Sequence, residues 1–275
     1  MLYDCFTFFD ELDLLEIRLN YLNEVVDKFV LVEMGQTFSG NDKPFYYEEN
    51  KKRYEKFADK IVHIKVEDYP DMENLSDYEK CWCREDYQRD CILRGLNDAE
   101  DDDTVMISDV DEIPSIGAIK VFRGGIFSMQ QRFMYYYLNC QNAVNKYWYK
   151  GTKICDMEVL SYPGFDIEDN LGAKFTRKGY PTYVRFYNGP YITNGGWHFS
   201  YLGGAEAIAY KIKSFSHQEY NNDTYTDVKE IERKILAGED IFDRGDKYEA
   251  VPVDDSFPTY IFNNQEKYKH LILPV

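Results

Sequence analysis

The chain has 275 residues, 44% apolar and 17% aromatic, with 32 basic against 49 acidic side chains and a formal net charge of −17. This length and apolar content suit one large α/β domain and exclude a disordered chain. The acidic balance repels nucleic acid at long range and leaves no polybasic face for anionic lipid.

The N-terminal "MLYDCFTFFDELDLLEIRL" has no basic leader and meets an acid at Asp4. No apolar run approaches the roughly 20 residues of a membrane span. The expectation is therefore a soluble, cytoplasmic protein without a transmembrane segment. Residues 2–8 read as a first strand. Asp10 reads as a helix N-cap, followed by Leu12, Leu15, Leu19 and Leu22 at helical spacing. "KFVLVE" (28–33) is a second buried strand, a polar helix is expected near 48–58, and "KIVHIKV" (60–66) is a third strand. A long helix spans about 76–97, and "TVMISD" (104–109) is a fourth strand. This alternation predicts a Rossmann-like sheet with helices on both faces and ligands at the carboxyl ends of its strands.

Beyond residue 115 the pattern changes to shorter strands, "GIFSMQQRFMYYYLNC", "KYWYKGTKICDMEVL" and "YPTYVRFY". A glycine-rich turn, "NGGWHFSYLGG", follows, then helices over about 204–216 and 227–237, the second stopped by Gly238. One domain is expected over residues 1–275, with residues 1–114 as its Rossmann-like, ligand-binding half and 115–275 as the second half. The cysteines are Cys5, Cys81, Cys83, Cys91, Cys140 and Cys155. Their spacing fits no zinc site, so they read as reduced.

"ISDVDEIP" (107–114) places Asp109, Asp111 and Glu112 at the end of a buried apolar run. Like charges this close repel, and a hard divalent cation is the simplest compensation. A metal held there can bridge a diphosphate and stabilise a leaving nucleotide, which points to a nucleotide-sugar glycosyltransferase. Strand ends also nominate Glu33 for the nucleotide, with Arg84 and Arg89 on the helix that precedes the fourth strand. Trp148 and Trp197 are candidates for stacking on acceptor sugar.

Together, "GLNDAEDDDTVMISDVDEIP", "FVLVEMGQTFSGNDKP" and "GGWHFSYLGGAEAIAYKIKSFS" resemble glycosyltransferase family 17 over roughly residues 1–250. The resemblance implies one domain of the GT-A type, α/β and Rossmann-like, with a mixed, mostly parallel sheet and a C-terminal antiparallel and helical extension. It also implies a UDP-sugar donor, with N-acetylglucosamine the preferred sugar, and transfer to a glycan hydroxyl with inversion. On that basis Asp109, Asp111 and His198 hold Mn²⁺ or Mg²⁺, with His217 the rival histidine. Glu33, Arg89, Asp109 and Lys211 hold the nucleotide-sugar, and Trp197 the acceptor. Inversion needs a general base. Asp156 and Glu158 are nominated, against Asp166, Glu168, Asp169 and Glu219. Without the anchor and stem of the animal enzymes, the chain reads as a bacterial or viral relative acting on another glycan. Two other classes compete: a Rossmann-type phosphohydrolase with Asp109 as nucleophile, and a non-enzymatic carbohydrate-binding protein with a structural cation.

Overall fold

The computed structural model describes residues 1–161, 166–168, 174–176 and 180–275. Its strands are β1 (Leu2–Phe8), β2 (Lys28–Met34), β3 (Ile61–Val66), β4 (Thr104–Asp109), β5 (Glu112–Pro114), β6 (Ile126–Tyr135), β7 (Cys140–Asn142), β8 (Tyr147–Trp148), β9 (Lys153–Asp156), β10 (Asp166–Glu168), β11 (Lys174–Thr176), β12 (Tyr191–Ser200) and β13 (Tyr248–Ala250). The helices are α1 (Leu12–Leu22), α2 (Tyr46–Asn50), α3 (Asp77–Asp90), α4 (Ile116–Val121), α5 (Glu158–Ser161), α6 (Tyr180–Phe186), α7 (Ala205–Ser214), α8 (Asp223–Thr226), α9 (Val228–Ala237) and α10 (Thr259–Asn263).

One mixed sheet runs β13-β7-β6-β9-β4-β1-β2-β3, with β12 on β5 and β6, and β8 on β6. Its β3-β2-β1-β4 part is wholly parallel, and the strands alternate between two cores. Phe6, Phe8, Phe29 and Leu31 face α1, whereas Tyr3, Cys5, Val30 and Val32 face the opposite side with Ile92 and Leu96. Burial on both faces is what a parallel, helix-covered sheet requires. This is the Rossmann-like half that the sequence predicts. All six cysteines are free.

Three local readings change. Glu11, not Asp10, takes the N-cap position of α1, and no side chain caps that helix. Residues 180–186, expected as strand, form helix α6. The expected turn at 194–200 is the last part of β12, parallel to β6 and antiparallel to β5. The backbones of β12 and β5 come so close at Gly196, φ 131°, that a Cβ there would lie 2.1 Å from the Ile113 carbonyl oxygen. The glycines permit strand packing rather than a turn.

Candidate active site

The "DVDE" turn leaves β4 and is fixed from beneath. Arg18 on α1 is fully buried, with Nε and Nη2 donating to the two carboxylate oxygens of Asp4 at 2.8 and 2.6 Å. Its Nη1 donates to the carbonyls of Asp109, Val110 and Glu112 at 3.0–3.2 Å. A leucine-spaced helix therefore carries one buried cation whose task is to hold a backbone turn. The Phe199 amide of β12 adds a bond to the Asp111 carbonyl at 2.8 Å.

Above the turn, each acid meets cations from distant segments. Asp109 accepts from Thr7 Oγ1 at 3.0 Å, Arg89 Nη2 at 3.1 Å and Arg185 Nη2 at 3.0 Å. Arg185 also forks onto Glu112, both contacts at 2.7 Å, while Trp148 Nε1 donates to Glu112 Oε1 at 3.0 Å. Asp111 lies 3.3 Å from Lys211 Nζ and 3.6 Å from His198 Nε2. Lys211 also pairs with Glu11 at 2.9 Å. Burial would raise the Asp109 carboxyl, but Arg185 and Arg89 outweigh it and hold the group well below the usual carboxylate range. The same contest, with Lys211 and His198 prevailing, lowers Asp111. Burial would lower Lys211, yet Glu11 and Asp111 hold it well above its ordinary value. Asp10, at the same strand end, moves the other way: burial, then repulsion by Glu11, pushes it up to about 7.

Asp109, Asp111, Glu112 and the cations that meet them line a cleft of about 1100 Å³ at the carboxyl ends of β1 and β4. The cleft runs against the charge of the chain: Lys43, Arg89, Lys150, Lys153, Arg185 and Lys211 face five carboxylates, Glu11, Glu85, Asp109, Asp111 and Glu112. Of the residues nominated from sequence, Asp109, Asp111, Arg89, His198 and Lys211 come together here. Trp148 and His217 also line the cleft, and His217 Nδ1 lies 2.8 Å from Glu219.

Other nominations fall elsewhere. Glu33 is fully buried and outside the cleft lining: it meets Lys43 and His63, each at 3.2 Å, and accepts from the Tyr46 and Tyr47 amides that begin α2. Its oxygens are spent on the fold, so it positions Lys43 rather than touching nucleotide. Trp197 is buried among Leu14, Ile17 and Phe199 and packs edge-on to Tyr21 at 5.7 Å, because strand alternation sends it away from the face carrying His198 and Ser200. Asp156 and Glu158 are also displaced. Strand β9 is antiparallel to β4 and pairs Asp156 with Thr104, the far end of β4 from Asp109. Five residues of strand put that point about 17 Å from the motif. They line a separate shallow depression, where Asp156 accepts from the Gly125 amide at 2.8 Å. Neither can take a proton from a hydroxyl held at the cleft. Asp169 lies outside the described residues, and only the backbone of Asp166 and Glu168 is described.

Among the described residues, no three His, Cys, Asp or Glu side chains gather as a metal set. The donor chemistry still fits a hard or borderline cation. Asp111 supplies carboxylate oxygen beside His198, which is buried and whose Nδ1 has no hydrogen-bond partner among the described residues. Such ions are commonly held by one or two protein ligands, with phosphate and water completing the shell.

The architecture defines an α/β protein with a charged ligand cleft at the carboxyl ends of parallel strands. The model of glycosyltransferase family 17 matches residues 1–157. The chain belongs to glycosyltransferase family 17. It is similar to β-1,4-mannosyl-glycoprotein 4-β-N-acetylglucosaminyltransferase of Rattus norvegicus, 24% identical over 294 residues that cover 95% of this chain and 52% of the relative. The Homo sapiens protein of that name is also 24% identical, covering 95% of this chain and 53% of its own length. The chain thus spans about half the length of the curated relatives it matches. Among solved structures, the inositol-1-phosphate CTP transferase from T. maritima aligns over 99% of this chain and 97% of its own at 9% identity. Its TM-score is 0.33, too low for that likeness to carry an argument. No helix among the described residues is long and apolar enough to cross a membrane.

Proposed function

We propose that the chain is a metal-dependent, inverting glycosyltransferase of the GT-A type that moves a sugar, preferentially N-acetylglucosamine, from a UDP-sugar to a glycan hydroxyl. The observation that carries this reading is the acid pair Asp109 and Asp111, kept ionised at the end of β4 in a cleft otherwise rich in cations. Asp111 and His198 would hold Mn²⁺ or Mg²⁺, with Asp109 beside them. When bound, the cation offsets negative charge on the diphosphate of the leaving nucleotide.

The remaining work falls to the chain's own side chains. Lys211 sits against Asp111 and has a proton to donate to a phosphate oxygen. Arg89 and Arg185 hold Asp109 in one orientation, and Arg18 fixes the carbonyls beneath it. Trp148, tied to Glu112 and lining the cleft, would pack its ring against acceptor sugar. The paired state of both Asp109 oxygens weakens it as a nucleophile, which disfavours the phosphohydrolase reading. The test is thermal stabilisation by UDP, GDP and CMP, each with and without Mn²⁺. A shift with UDP that needs Mn²⁺ is expected. No shift with any nucleotide under either condition would overturn the proposal.

A further inference from the structure

Within the cleft, each carboxylate already has a cation. Lys211 answers Glu11 and Asp111, Arg89 answers Glu85 and Asp109, and Arg185 answers Asp109 and Glu112. Lys43 is matched by Glu33. Among the described cleft-lining residues two lysines remain, Lys150 and Lys153. Lys150 is exposed, but Lys153 is only 3% accessible, and among the described residues no carboxylate lies within ion-pair distance of its Nζ. Among the described residues that nitrogen donates to the hydroxyl of Ser128 and to no other group. Buried ammonium groups are normally paired, because the loss of water is costly. Arg185 and Lys150 add repulsion of like sign, and burial together with that repulsion lowers the Lys153 pKa to about 8. An anion beside Lys153 would relieve both penalties.

The position of Lys153 says which anion. It begins β9, which lies beyond β4 from β1 and β2. The strand ends carrying Phe9, Thr37 and Lys43, where a nucleotide would lie, are on the other side of Asp109. The charged groups that act on Lys153 are Arg185, Glu112 and Lys150, rather than Asp111 and Lys211. The neighbouring lining is aromatic: Trp148, Tyr149, Phe186 and Tyr187. Cation and flat rings together suit a charged sugar.

We infer that the β9 side of the cleft is a subsite for an acidic sugar of the acceptor, with Lys153 binding its carboxylate or phosphate. This rests on the transferase reading for the word acceptor, but not for the anion site itself.

The test is saturation-transfer NMR on the whole chain with Mg²⁺, in the absence and presence of saturating UDP. Glucuronic acid is compared with glucose, and phosphorylated mannose with mannose; the two pairs separate carboxylate from phosphate. In at least one pair the acidic member is expected to bind about tenfold more tightly. Lys153→Met should abolish that preference and Lys153→Arg should keep it, with UDP binding unaltered in both. Lys153→Met should also raise the unfolding midpoint, because it removes an unpaired buried charge. Equal or absent binding of acidic and neutral sugars overturns the inference. So does a preference that survives Lys153→Met, or a lowered midpoint in that variant. Displacement of the acidic sugar by UDP assigns Lys153 to donor phosphate and overturns it too. If the wild type ignores UDP but keeps a Lys153-dependent acid preference, the transferase reading fails while the anion subsite stands.

Discussion

The two ends of β4 carry similar acid and opposite fates. At the carboxyl end, Asp109, Asp111 and Glu112 are met by Arg89, Arg185 and Lys211, drawn from α3, α6 and α7. At the amino end, Asp101, Asp102, Asp156 and Glu158 surround a shallow depression whose one basic lining residue among the described residues is Arg123. Arg123 turns to the carbonyls of Lys120 and Phe122, and none of those four acids is in an ion pair among the described residues. Acid alone is a solvated surface. Acid that several distant segments have each supplied a cation to hold is a site, because water would otherwise have satisfied it more cheaply.

The largest test of that contrast is Arg18→Met. It strands Asp4 in the core and frees three carbonyls, so a loss of about 3–5 kcal/mol in denaturant unfolding is expected. Stability close to wild type would show that the turn holds itself. Trp197→Ala should cost a comparable 3–5 kcal/mol through its cavity, while Trp148→Ala should chiefly raise the acceptor KM. The reverse pattern would return Trp197 to the cleft.

Asp111→Asn is next. Sugar transfer should fall about 100-fold or more with the fold intact at neutral pH. The pH dependence follows from the sign of the shift. The folded Asp111 pKa lies below its unfolded value of about 3.9, so its stabilisation is present above that pH and fades as pH falls through the lowered value. Asn should therefore flatten the acid limb of the unfolding curve. Asp10 has the opposite sign. Its folded pKa of about 7 exceeds the unfolded value, so stability is lost as pH rises from about 4 to 7. Asp10→Asn should raise the midpoint by a few degrees at pH 8 and leave it unchanged at pH 4. The smallest effect is expected at the amino end. Asp156→Asn and Glu158→Gln should change transfer less than twofold, and a tenfold loss would undo the comparison.

Much of this contrast is legible in the sequence where local pattern decides. The alternating apolar runs of β1, β2 and β4 announce a sheet buried on both faces, and the acids at the end of β4 announce its ligand edge. What is not legible depends on direction and face. Asp156 follows a strand as Asp109 does, but β9 runs antiparallel and carries it away, leaving Lys153 near the cleft. Trp197 and His198 are neighbours in sequence, yet only in a strand do they part to opposite faces. Arg185 sits in an aromatic, β-branched stretch that reads as strand, and nothing local links it to acids 73 and 76 residues earlier. Arg18 hides in a regular leucine spacing. Its one hint is a lone cation close to the apolar face.

Arg18 has a consequence for motion. A turn of this kind at a loop end would ordinarily open and close well before the domain unfolds. Here three of its carbonyls are bonded to a guanidinium with no accessible surface. Opening the turn therefore means exposing the centre of the domain. The amide hydrogens of Asp109 and Val110, bonded to Glu112 Oε2 and to the Thr7 carbonyl, should exchange with solvent only at the rate set by global unfolding. Warming should then leave catalysis intact until the whole fold gives way, with no intermediate range in which the site has loosened first.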